Sequence, residues 1–148
     1  MPKGAVAIVC MCSHTRRFAL VSRSRPPDVG RWSLPGGKVE RGEATMRAAM
    51  RELCEETGLG REDVCFSAAP FTVSDVIDPA DGSSFHYMIA QTFCRTKGRR
   101  ELMAGDDARL AAWFSLEQMS DMERQDEIAG DCVGVVRLAL ALDRNGLL

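Results

Sequence analysis

Between Ala44 and Thr57, the residues Met46, Ala49, Met50 and Leu53 recur at i, i+3, i+4 and i+7, one apolar stripe along an α-helix. Gly58 follows directly and supplies the stop that such a helix needs. Strand-like runs flank this helix on both sides, and that alternation restricts the fold more than any other feature. Gly4 to Met11 and Phe18 to Ser22 are short apolar runs separated by the polar turn Ser13 to Arg17. Further strand-like stretches cover Val64 to Val76, Phe85 to Thr96 and Ala108 to Phe114, with turns at Asp78 to Gly82 and Lys97 to Gly105. A second helical pattern runs from Ile128 to Leu142. Strands interleaved with two helices predict an α/β fold, a mixed sheet with a helix on each face. The 148 residues carry no internal repeat and suit one domain, 1–148.

The charge balance narrows the partners. Nineteen Lys and Arg against 21 Asp and Glu give a net charge of -2, so no broad positive field draws in a nucleic acid polymer. Any anion must be captured locally. Cys10, Cys12, Cys54, Cys65, Cys94 and Cys132 are scattered without a CxxC pair, which predicts reduced thiols rather than a disulfide framework or a zinc site. Gly4 to Cys12 after Lys3 superficially imitates a signal peptide. It lacks a small-x-small cleavage pattern and is followed by Arg16 and Arg17, so a buried first strand is the expectation. No stretch approaches the roughly 18 apolar residues of a membrane span, and a soluble, cytoplasmic protein without a membrane partner is expected.

Glu52, Glu55 and Glu56 stand at i, i+3 and i+4 of the helix, which puts their carboxylates on one face, roughly 120° from the apolar stripe at about 100° per residue. Three crowded carboxylates repel one another unless a cation lies between them, and hard oxygen ligands suit Mg²⁺, with Mn²⁺ as the alternative. The competing reading is a solvated acidic face balanced by Arg47 and Arg51. Pro35-Gly36-Gly37 stands just upstream, where glycines let backbone carbonyls and amides approach a metal or phosphate closely. Regular structure is not expected there, after Trp32-Ser33-Leu34, nor in the turn-rich loop Arg25 to Gly30.

Gly37 through Leu59 resembles the Nudix box, G-x5-E-x7-R-E-U-x-E-E-x-G-U, with U aliphatic. Gly37 is followed after five residues by Glu43, after seven more by Arg51-Glu52-Leu53, and then by Glu55-Glu56-Thr57-Gly58-Leu59. Every fixed position matches. The stretches Arg25 to Pro35, Asp75 to Asp78, His86-Tyr87, Gly105 to Ala108 and Trp113-Phe114 are similar, more loosely, to the branch described as ADP-ribose pyrophosphatase-like. The resemblance implies an α/β/α sandwich with a central mixed sheet. It also implies an enzyme that uses divalent metal ions to hydrolyse the pyrophosphate of a nucleoside diphosphate joined to another group.

By that resemblance Glu52, Glu55 and Glu56, with a backbone carbonyl of Gly36 or Gly37, hold the metal. Glu52 is the first choice for general base, with Asp106 and Asp107 as alternatives, and Arg51 orients Glu43 or Glu55. Arg23, Arg25 and Arg31 are candidates to grip a phosphate or terminal sugar, against the reading of solvated surface charges. Trp32, Phe85 and Tyr87 are candidates to stack on a base, against ordinary core positions. Asp75 and His86 offer polar contacts for ribose or phosphate. ADP-ribose leads as substrate, with an oxidised nucleoside triphosphate as runner-up and a silent nucleotide-binding module as a third reading. Dimers occur in related families, which keeps a homodimer open.

Overall fold

The computed structural model describes residues 1–24, 29–79, 82–105 and 108–148, apart from the side chain of Arg109. Along the chain run β1 (Lys3–Met11), β2 (Phe18–Arg23), β3 (Trp32–Ser33), β4 (Gly36–Lys38), α1 (Thr45–Thr57), β5 (Val64–Phe66), β6 (Thr72–Asp78), β7 (Phe85–Thr96), β8 (Ala108–Phe114), α2 (Leu116–Arg124) and α3 (Cys132–Arg144). One mixed sheet orders the strands β3-β2-β1-β7-β5, with β4 added to β1, β6 to β7 and β8 to β2. β1 and β7 pair in parallel from Lys3↔Tyr87 to Met11↔Arg95, and the remaining named pairs are antiparallel.

The central strand explains the two-sided packing. Successive β1 side chains point to opposite faces, so Val6, Ile8 and Cys10 meet Ala48, Ala49 and Leu53 of α1. Val9 and Met11 meet Met119 and Met122 of α2 and Val133, Val136 and Ala139 of α3. A strand buried on both faces reads as a continuous apolar run, as β1 does.

Four expectations change. A third helix, α2, stands where none was read from apolar spacing, and its signal was the capping box. Ser115 accepts from the Gln118 amide at 3.1 Å while the Gln118 side chain accepts from Ser115 N–H at 2.8 Å. Gly36 and Gly37 form regular structure, because β4 pairs with β1 through Ala7↔Gly36 and Val6↔Gly37. A Cβ on Gly36 would lie 2.2 Å from Val6 O, so the close approach that builds β4 depends on the glycine. Val64 to Val76 divides into β5 and β6 around Pro70. The last helix also starts late, at Cys132, because Trp32 N–H donates to Glu127 O and Ala129 N–H donates to Trp32 O, which holds Ile128 extended beside β3.

Candidate active site

α1 is built as its spacing predicts. It ends where Gly58, at φ 79°, adopts the left-handed conformation and donates its N–H to Cys54 O. The buried surface of the helix is broader than the stripe alone, since Ala48, Ala49, Leu53 and Thr57 are all buried. Glu52 projects between Ala48 and Ala49, roughly 40° and 60° away at about 100° per residue. Its side chain is only 12% exposed, against 40% for Glu55. The carboxylates therefore border the packed face instead of standing clear of it.

β4 fixes two of the three. Gly36 N–H donates to Glu56 Oε1 at 2.7 Å. Gly37 faces Glu52 so closely that an added Cβ would lie 2.4 Å from Glu52 Oε1. The missing side chain is thus the space that the Glu52 carboxylate occupies. Glu55 is approached from the other side, where a Cβ on Gly105 would stand 2.6 Å from Glu55 O.

Arg51 ties this arrangement together. Its Nε and Nη2 donate to the two oxygens of Glu43 at 2.7 and 2.9 Å, Nη2 also donates to Lys38 O at 3.0 Å, and Nη1 donates to Glu52 Oε1 at 2.8 Å and Glu55 Oε2 at 3.3 Å. All five guanidinium N–H donors have an acceptor, a pattern that the planar fork permits and an ammonium does not. The Arg51 hydrogen bonds, then the Glu40 amide, hold the Glu43 carboxyl down at about 2. The same contacts, Glu43 first, push Arg51 up. Arg47 is exposed, so the charge balance considered from sequence rests on Arg51.

Among the described residues, no three His, Cys, Asp or Glu side chains already converge as a ligand group. Arg51 Nη1 stands between Glu52 and Glu55, and Glu56 is held by the Gly36 amide. The donor set nevertheless fits a hard divalent cation. Three carboxylates lie at i, i+3 and i+4 of one helix, Gly37 leaves no side chain over that of Glu52, and the Gly36 amide reaches that of Glu56.

The other candidates lie around this centre. Arg23 ends β2 opposite Ala108, and its N–H donates to Arg31 O at 3.1 Å. Arg31 pairs with Asp126 at 2.7 Å. Trp32 is half-buried and meets the Phe114 ring edge-on at 4.9 Å. Phe85 and Tyr87 lie together at 5.7 Å. Sequence reasoning passed over Lys38, whose Nζ sits 5.7 Å over the Tyr87 ring. His86 Nε2 and Asp75 Oδ1 are 2.9 Å apart across β6 and β7. Since β1 and β7 intervene between β4 and β6, Asp75 lies roughly 14 Å from the Gly37 strand at about 4.8 Å per strand. Arg25, Asp106 and Asp107 lie outside the described residues.

A mixed sheet with helices on both faces and a glycine-backed glutamate helix defines a class. Residues 1–132 match the family model described as NUDIX domain, and the chain belongs to that family. It is 32% identical over 115 residues to an ADP-ribose pyrophosphatase of Methanocaldococcus jannaschii, an alignment that takes in 78% of this chain and 64% of that protein. It is 36% identical over 94 residues to the nucleoside triphosphatase NudI of Escherichia coli, covering 61% of this chain and 65% of that one. The matched region thus spans just under two thirds of both relatives. Among solved structures, the NUDIX domain of Shewanella oneidensis NrtR, crystallised with ADP ribose, superposes with a TM-score of 0.76 at 18% identity, over 100% of this chain and 90% of that one. That likeness shows the fold.

Proposed function

We propose that residues 1–148 act as one Nudix pyrophosphohydrolase unit. On this reading it cleaves the pyrophosphate of a nucleoside diphosphate joined to another group, with ADP-ribose giving AMP and ribose 5-phosphate. The observation that carries the reading is the placement of the Glu52 and Glu56 carboxylates against Gly37 and Gly36 of β4, with Glu55 joined to Glu52 through Arg51. Family membership supports it, as does the similarity to a pyrophosphatase.

Glu52, Glu55 and Glu56 would hold Mg²⁺, or Mn²⁺ in its place, with backbone groups of β4 beside them. A bound divalent cation supplies neutralisation of phosphate charge and a more acidic water. Glu52, less exposed than Glu55, would take the proton as a water oxygen attacks phosphorus and the bridging P–O bond breaks. Arg51 keeps Glu52 and Glu55 oriented while Glu43 anchors Arg51.

The choice of ADP-ribose rests on groups beyond the centre. A substrate extended from α1 across β1 and β7 meets Asp75 and His86, which can accept from sugar hydroxyls. A triphosphate presents only charged oxygens there, and Asp75 disfavours them. No helix among the described residues is long and apolar enough to cross a membrane. The relevant partner is a small nucleotide.

Side-by-side kinetics with ADP-ribose, other diphosphate conjugates and oxidised dGTP, with products identified, test the reading. ADP-ribose should show the highest kcat/KM and give AMP with ribose 5-phosphate. Preferred cleavage of the triphosphate with release of pyrophosphate would replace it with the nucleotide-pool reading, which the similarity to a nucleoside triphosphatase favours.

A further inference from the structure

The turn between β1 and β2, the stretch after β7 and the distal end of β8 border an open cavity of about 530 Å³. None of the residues assigned to the glutamate centre lines it. Its volume lies within the range of small-molecule pockets. Its lining reaches Ala111, which pairs with Val21 of β2, and Leu102, three residues before Gly105, while Thr15 and Arg17 stand at its other end, in the turn that precedes β2.

The walls are of two kinds. Leu102, Ala112 and Trp113 give a half-buried apolar floor, and Trp113 Nε1 donates to Arg100 O at 2.8 Å, which fixes the indole. Arg17 and Arg99 rise from different segments at the rim, both exposed, and neither guanidinium has a hydrogen-bond or ion-pair partner among the described residues. Arg100 is committed elsewhere, with Nε donating to Asp63 Oδ1 at 2.9 Å. Glu101 on the same rim reduces the positive charge without cancelling it.

The turn that carries Arg17 is fixed and rich in donors. Arg16 takes φ 58°, its N–H donates to Cys12 O at 2.8 Å, and Cys12 N–H donates to Arg17 O at 2.7 Å. Burial pushes the Cys12 thiol up, yet hydrogen bonds from Thr15, from the backbone at Thr15 and His14 and from Thr96 outweigh it and leave the thiol below its ordinary value. These donors gather around the Cys12 thiol at the end of the cavity where Arg17 stands.

We propose that the cavity is a second ligand site, one for a nucleoside monophosphate, with its planar base on Trp113 and Leu102 and its phosphate between Arg17 and Arg99. A phosphate monoester accepts from guanidinium groups through paired oxygens, and a base stacks on an indole. A free inorganic anion would leave the apolar floor in water.

Trp32 and Trp113 are the two tryptophans of the chain, so Trp32→Phe leaves Trp113 as the sole indole reporter. Titration of this variant with AMP in the presence of chelator should quench its fluorescence saturably. Adding Arg17→Ala and Arg99→Ala, both at exposed positions, should raise the midpoint about tenfold or more with an unchanged far-UV spectrum. No saturable quench, a midpoint unmoved by the arginine substitutions, or ribose 5-phosphate binding as well as AMP would overturn the proposal. NMR titration of the unsubstituted chain provides a check independent of Trp32. AMP should shift amides in 12–17 and 99–102, and shifts confined to β4 and α1 would overturn the second site.

Discussion

Gly36 donates its backbone N–H to Glu56 Oε1 at 2.7 Å, so the strand that precedes α1 holds the third glutamate of the helix in place. The contact is short and charge-assisted, and its acceptor is an oxygen that a glutamine also possesses. Its geometry separates the structural role of Glu56 from its charge.

Glu56→Gln should therefore keep the Gly36 hydrogen bond and the melting temperature within a few degrees while lowering kcat by orders of magnitude. Steady-state kinetics alongside calorimetry make the comparison. Undiminished hydrolysis, or undiminished hydrolysis by enzyme stripped with chelator, would remove Glu56 from the metal assignment.

Gly37→Ala introduces a Cβ that the present position of the Glu52 carboxylate does not allow, at 2.4 Å from Oε1. Either Glu52 rotates away or β4 shifts from β1, and displacing a catalytic group by about 1 Å can cost on the order of 100-fold in rate. We expect a loss of that size in kcat, with a smaller effect on KM. A variant as active as the parent would show that Glu52 is not the base.

Arg51→Lys preserves the charge but cannot fill five acceptors in one plane. Glu43 loses its paired contact, and Glu52 and Glu55 lose the link between them. Stability should fall by about 1–3 kcal/mol, comparable to removing a hydrogen-bond partner from charged groups. Denaturant unfolding measures this, and an unchanged midpoint would mean that solvent already screens the network.

Glu43 gives the protein a specific acid sensitivity. Its carboxyl stands at about 2 in the folded chain against an ordinary value of 4.5. A depressed acid contributes its stability in full above its unfolded value, and that contribution disappears as pH falls from about 4.5 toward about 2. The melting temperature of Glu43→Gln should be lower at neutral pH but fall less steeply across that window. Parallel slopes for the two proteins would contradict the coupling of Glu43 to Arg51.

Much of the catalytic helix was legible before any coordinates. The Met46, Ala49, Met50, Leu53 spacing, the Gly58 stop and the shared face of the glutamates are local properties, set by helical geometry and the steric freedom of one glycine. Arg51 beside Glu55 is likewise a local i, i+4 relation, whereas its link to Glu43, outside the helix, was expected only from the Nudix resemblance. Helix α2 was legible only through Ser115 and Gln118, since its nine residues are too few for apolar periodicity to speak clearly.

What tertiary structure alone decided is which local features meet. From the sequence Glu52 stands apart from the apolar stripe, yet in the fold it is 12% exposed, because β4 lies over it where Gly37 has no side chain. Pro35-Gly36-Gly37 reads as an irregular turn until β1 supplies the strand with which it pairs. Asp75 and His86 lie eleven positions apart in the chain, and only the β6–β7 register brings them to 2.9 Å. Spacing along a chain determines which side chains share a face of one element. Contacts between elements depend on register and on the close approaches that missing side chains allow, and those arise only when the whole sheet assembles.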